Sequence, residues 1–126
     1  MQIVVTCSPY KHQINLIRQL TYTERRGVMG VTTLNDKIFV VYHKLPFIVV
    51  YMSQQPYTRL PNISIKGLQW PWDIAAGSSC LYVSDPASDA IWRAKAADSK
   101  VDQWLSGLKA GSVSVTSEEK LVLIAG

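Results

Sequence analysis

The sequence predicts an all-β fold made of a four-stranded antiparallel unit repeated about every 40 residues, and three observations predict it. Gly27, Gly67 and Gly107 recur at intervals of 40 residues, each followed by an aliphatic residue: Val28, Leu68 and Leu108. The apolar runs beginning at Lys37, Cys80 and Lys120 start 43 and 40 residues apart. Pro9, Pro46 and Pro86 each stand just after such a run and before the next extended one. These runs are short and rich in Val, Ile, Thr, Tyr and Trp, which suits strands. Helical repeats would need apolar residues at i, i+3, i+4 and i+7 over a dozen positions.

Naming the strands of one unit a to d from the innermost outward, the chain divides as follows. Before Gly27 there is a strand b (Gln2 to Cys7), a strand c (Gln13 to Leu20) and a strand d (Thr21 to Glu24), without a strand a. The next unit has a at Val28 to Thr33, b at Lys37 to Tyr42, c at Phe47 to Ser53 and d at Asn62 to Lys66. The third has a at Trp72 to Ala76, b at Cys80 to Ser84, c at Ala90 to Ala94 and d at Val101 to Ser106. A last pair, Ser112 to Thr116 and Lys120 to Ala125, reads as a and b alone. Asn35-Asp36, Gly77-Ser78 and Glu118-Glu119 fall in the a-to-b turns, where such residues accept a reversed backbone. Four short strands in a period near 40 is the pattern of a β-propeller blade. The expected organisation is one incomplete propeller domain over 1–126: a partial blade 1–27, blades 28–68 and 69–108, and a partial blade 109–126. Rings close with about four to eight blades, so missing blades or self-association must complete this one. A two-fold pairing to six blades is attractive, but the strand b at both ends does not fit it cleanly, which favours a piece of a longer protein.

The totals narrow the class. With 48% apolar and 17% charged residues, the 126-residue chain carries enough apolar material for a core. Its longest apolar run is Phe47 to Tyr51, far short of the roughly 18 to 20 residues a membrane-spanning helix needs. The amino terminus lacks the basic segment and apolar core of a secretory signal, so a cytoplasmic location without membrane contact is expected. A net charge of +4 spread over scattered basic residues reads as a solvated surface. Cys7 and Cys80 have no CxxC partner and read as small apolar residues near strands.

Pro71-Trp72-Asp73-Ile74-Ala75, then Leu81-Tyr82-Val83-Ser84-Asp85, then Asp89-Ala90-Ile91-Trp92-Arg93 resembles the NHL-repeat type of propeller blade, whose pattern runs P-x-G-I-A, L-Y-V-x-D, N-x-x-I-x. The resemblance is specific over residues 71–93 and weaker over 28–68. It departs at Asp73 and Asp89, where glycine and asparagine are usual, and the second unit lacks the aspartate after Val40-Val41-Tyr42. The resemblance implies a six-bladed ring and a loop-based binding role, since the function of such a scaffold lies in its loops.

Among candidate functional residues, the Trp70-Pro71-Trp72-Asp73 lead-in to the third strand a is reproduced in no other unit, and Trp70, Trp72 and Asp73 are the expected partner-binding residues. Trp70, Trp72, Trp92 and Trp104 are large enough to fill the wedge between neighbouring blades, and core packing accounts for at least two of the four. Asp85 and Asp89 flank Pro86-Ala87-Ser88 and read as turn caps accepting backbone N–H groups. His12 and His43 stand apart from any nucleophile or ligand series, and Ser84, Ser88 and Ser114 lack a G-x-S-x-G setting, so no catalytic residue, metal or cofactor is expected. The leading expectation is a non-enzymatic interaction or scaffold module that binds a protein partner. One alternative is RNA binding, because Arg25, Arg26, Lys66 and Lys109 sit beside the recurrent d-to-a glycines. Another is a metal-dependent propeller hydrolase with a channel metal near Asp73.

Overall fold

The computed structural model describes residues 27–116, 118 and 120–125, and shows an all-β chain. Strands β1 (Val28–Leu34), β2 (Lys37–Tyr42), β3 (Phe47–Met52) and β4 (Arg59–Ser64) form one antiparallel sheet in the order β1-β2-β3-β4. Strands β5 (Asp73–Ala76), β6 (Cys80–Asp85), β7 (Ala90–Lys95) and β8 (Val101–Ser106) form a second with the same sequential order. Strands β9 (Ala110–Val115) and β10 (Leu121–Ala125) pair as a third, two-stranded sheet. The arrangement is compatible with a propeller-like fragment. The expected strands b, c and d of the first unit fall among residues 1–26, outside the described residues, as do Cys7, His12, Arg25 and Arg26.

Local chemistry sets the turns. β1 and β2 are joined by Asn35 and Asp36, whose φ angles are 51° and 61°, so both occupy the left-handed region that a tight two-residue hairpin demands. Asn and Asp tolerate that region better than most residues. β4 begins and ends earlier than the sequence pattern suggests, at 59–64 rather than 62–66. Its Pro61 lies within the strand. Leu60 pairs with Val50 and Ile63 with Ile48, so Pro61 and Asn62 together oppose Val49 in a bulge. A proline without an N–H fits there, on a strand that among the described residues is outermost in the sheet and carries no ladder on its far edge.

Alternation along the strands builds the core. Phe39, Val41, Ile48, Val50 and Ile63 on one face of the first sheet pack with Ile74, Leu81, Val83 and Ala94 of the second, joined by Ile65 and Leu68 from the link between them. The opposite face of the first sheet is also buried, through Val28, Ile38, Val40, Tyr42, Val49 and Tyr51. That is why β2 reads as an unbroken apolar run rather than an alternating one: both of its faces are inside. Each fully buried Ile or Val contributes about 1.5 to 3 kcal/mol relative to exposure.

The three sheets meet along their first strands, with β5 beside both β1 and β9. Gly30 of β1 lies so close to β5 that a Cβ there would stand 3.0 Å from both Asp73 Oδ1 and Ile74 N. At the other end of each four-stranded sheet, the chain leaves through Gly67 (φ 103°) and Gly107 (φ 75°), which explains the recurrence of glycine at these points. A side chain at Gly67 would also collide with the Trp92 ring, 2.9 Å from the position of its Cβ.

Candidate functional site

The β2–β3 turn and the link from β4 to β5 emerge at the same end of the sheets. His43 and Trp70, one from each, meet edge to face with ring centroids 4.9 Å apart. Lys44, beside His43, places its Nζ 5.1 Å from the Trp70 ring centroid, within the range of a cation–π contact. Trp70 remains 37% exposed and Trp72 45%, the two large apolar side chains displayed to solvent among the described residues. Between them Pro71 is buried, so the short segment is wedged in at its centre while both indoles stand outward.

The backbone of this segment is held by Asp85, which is fully buried. Its Oδ2 accepts the Gln69 N–H at 2.8 Å and its Oδ1 accepts the Trp70 N–H at 2.9 Å. Ser88 donates its hydroxyl to Asp85 Oδ2 at 2.7 Å and accepts the Trp92 indole N–H at 3.3 Å. Trp72 N–H donates to the Ser84 carbonyl at 2.9 Å, continuing the β5–β6 ladder outward. Asp85 therefore caps the β4–β5 link rather than only its own turn: its backbone partners lie 15 and 16 residues upstream, where a local turn cap would find them within a few residues.

Asp73 has a different role from its neighbours. Its Oδ1 accepts the N–H of Ile74 at 2.9 Å and its Oδ2 accepts the N–H of Val113 at 3.0 Å, tying β5 to β9. Burial pushes its carboxyl above the usual range, and the two backbone N–H groups oppose that shift. It lines a cleft of about 390 Å³ between β1, β5 and β9, with Gly30, Thr32 and Ser114 around it. The Ser84 hydroxyl likewise donates to the Gly111 carbonyl and joins β6 to the start of β9.

The structure brings Trp70 together with His43 and Lys44, leaves Trp72 exposed two residues on, and gives Asp73 to an inter-sheet joint. Asp89, at φ 54°, takes a left-handed conformation after the short 3-10 turn Pro86–Ser88 and pairs with Lys109 Nζ at 3.1 Å. Lys66 is exposed on the β4–β5 link. Trp92 is partly buried against the main core, and Trp104 lies on the opposite face of the second sheet beside Tyr82, with centroids 5.2 Å apart. Cys80 is a half-buried free thiol. Among the described residues no group of three or more His, Cys, Asp and Glu is gathered closely enough to hold a metal ion, and no helix is long and apolar enough to cross a membrane.

His43 and Lys44 are the site residues that sequence reasoning missed. The signal for them was topological: in a sheet whose strands run in sequential order, the second-to-third turn and the exit from the fourth strand fall at one end. Compared with known proteins, the chain matches no protein-family model, and no curated protein is significantly similar to it in sequence.

Proposed function

We propose that this chain is part of a β-propeller of the NHL-repeat type and acts as a non-enzymatic interaction module, binding a protein partner through the rim formed by Trp70 and Trp72. The observation that carries this reading is the display itself. Two indoles stand in solvent on either side of a buried proline, on a backbone pinned by a fully buried carboxylate. Exposing two tryptophans wastes apolar burial that the fold could use, and Trp is the residue most enriched at the energetic centres of protein interfaces. A rigid backbone lowers the entropy lost on binding.

The test is quantitative affinity capture with equal amounts of folded wild-type chain, Trp70→Ala and Trp72→Ala. At least one specific protein should fall about tenfold or more in recovery with both variants. Equal recovery with all three would overturn the reading.

Lys44 against Trp70 and the exposed Lys66 on the same link lend some support to a second reading, single-stranded RNA stacked on the indoles. Binding of an oligouridine probe that weakens steeply with salt would favour it. Lys109 contributes less to that reading because it faces Asp89.

A further inference from the structure

The β2–β3 turn and the β6–β7 turn occupy the same place in their sheets, and each holds one charged residue in the left-handed region: Lys44 at φ 60° and Asp89 at φ 54°. Asp89 faces Lys109, on the link that leaves its own sheet, at 3.1 Å, so its charge is answered within the chain. Lys44 also reaches the link that leaves its sheet, but there it meets the Trp70 ring, 5.1 Å from the centroid, in place of an anion. Left-handed backbone suits Gly or Asn and strains a lysine. The turn accepts that strain and holds an ammonium group over an exposed indole.

The surroundings add charge of the same sign. The Ile65 N–H donates to the Pro46 carbonyl at 2.9 Å, which fixes the start of the β4–β5 link beside this turn, and the next residue, Lys66, is exposed. The carboxylate that touches the link, Asp85, is fully buried and already accepts the Gln69 and Trp70 N–H groups and the Ser88 hydroxyl. Asp73, the acid that follows Trp72, is turned to the Ile74 and Val113 N–H groups. Neither Lys44 nor Lys66 has an ion-pair partner among the described residues. Two cations thus stand beside two exposed indoles, and the neighbouring carboxylates are engaged elsewhere.

We propose that the segment bound at this rim is an acidic, extended peptide of the partner, whose carboxylates meet Lys44 and Lys66 while apolar side chains between them rest on Trp70 and Trp72. The proposal rests on the rim being a protein-binding surface and adds the chemistry of what it binds. Trp70 and Trp72 are two residues apart, so their Cα atoms stand at most about 7 Å from each other. Alternate side chains of an extended peptide have that same spacing. The indoles supply the apolar centre of the contact, and the lysines supply its charge selection and speed of encounter. A nucleic-acid strand fits less well, because the Lys44 ammonium already lies over the Trp70 ring where a base would stack.

The experiment is selection of a phage-displayed random dodecapeptide library on the intact chain, followed by fluorescence anisotropy of the enriched peptides. These should carry at least two Asp or Glu residues around apolar ones and bind more weakly as salt rises. Their affinity should fall about tenfold both with the double variant Lys44→Ala, Lys66→Ala and with Trp70→Ala, each checked as folded by near-UV dichroism. Lys44→Asn, a residue suited to the turn, should melt no lower than wild type and still bind more weakly, which a lysine with only a structural role would not do. Enriched peptides that need Trp70 but carry no excess of acid, or that bind the lysine variants as well as wild type, would overturn the acidic partner and leave the rim intact. Oligouridine that binds more tightly than every enriched peptide would overturn it in favour of a nucleic acid. A selection that enriches nothing would overturn a linear acidic ligand, and protein capture with Trp70→Ala then decides the rim separately.

Discussion

The buried carboxylate of Asp85 accepts the backbone N–H of Trp70 at 2.9 Å, so the end of β6 dictates where an exposed indole stands. With the Gln69 N–H and the Ser88 hydroxyl as further donors, the carboxylate is well satisfied without a cation. Replacing Asp85 by Ala strands two backbone donors and the Ser88 hydroxyl. Hydrogen bonds to a charged group contribute about 1.5 to 3 kcal/mol each, with strong non-additivity, so a loss of about 3 to 5 kcal/mol in urea unfolding is expected. Asp85→Asn, which keeps one acceptor, should lose less than the Ala variant. Equal losses would show that the charge and the second oxygen are idle.

Gly67 joins two constraints at one position, a φ of 103° and a Trp92 ring 2.9 Å from where a Cβ would sit. Gly67→Ala should destabilise by about 1 to 3 kcal/mol through backbone strain and displacement of the ring. Gly107→Ala shares the positive φ of 75° but meets nothing within 4 Å, so its cost should be smaller. Thermal melts of the two variants side by side check the order.

Asp73 links stability to pH. Because burial raises its folded pKa above the usual 3.8, the folded state holds the proton more tightly than the unfolded chain. Its stabilising contribution is fully present below that usual value and is lost as pH rises through the raised folded value. Asp73→Asn removes this slope and leaves the Val113 or Ile74 N–H without its carboxylate acceptor. The advantage of wild type over Asp73→Asn in urea unfolding should therefore be larger near pH 3 than at pH 7. A gap that widens with rising pH would contradict the assigned direction.

Trp70 and Trp72 should matter little to folding. Each is more than a third exposed, so Trp72→Ala should change stability by less than about 1 kcal/mol, and Trp70→Ala by a little more through its contacts with His43 and Lys44. Chemical denaturation of both variants checks that any binding defect is local.

The strand pattern was legible because burial leaves a direct imprint on residue type. β2, inside on both faces, reads Ile-Phe-Val-Val-Tyr, and the left-handed Asn35-Asp36 turn and the glycines at 67 and 107 are demanded by backbone angles. β4 starts three residues earlier than expected, and only the pairing of Leu60 with Val50 and Ile63 with Ile48 shows that Pro61 sits in a bulge within it. The site was half legible. Trp70 and Trp72 stand out by type, but residue type alone does not separate an exposed indole from one packed between sheets, and both are exposed. Asp73, grouped with them by adjacency, points its carboxylate at Val113 instead, because strand alternation turns neighbours to different surroundings. The union of Asp85 with Gln69 and Trp70 was hidden by sequence distance, as was that of His43 and Lys44 with Trp70.

The central claim is that the Trp70–Trp72 rim contacts a protein partner. It is tested most directly by placing a photo-reactive benzoylphenylalanine at position 72, with position 98, exposed in the β7–β8 turn at the opposite end of the sheet, as the control. Irradiation should yield a discrete covalent adduct with another protein from position 72 and none from position 98. Identical labelling from both positions, or none from position 72 in a chain that remains folded, would contradict it.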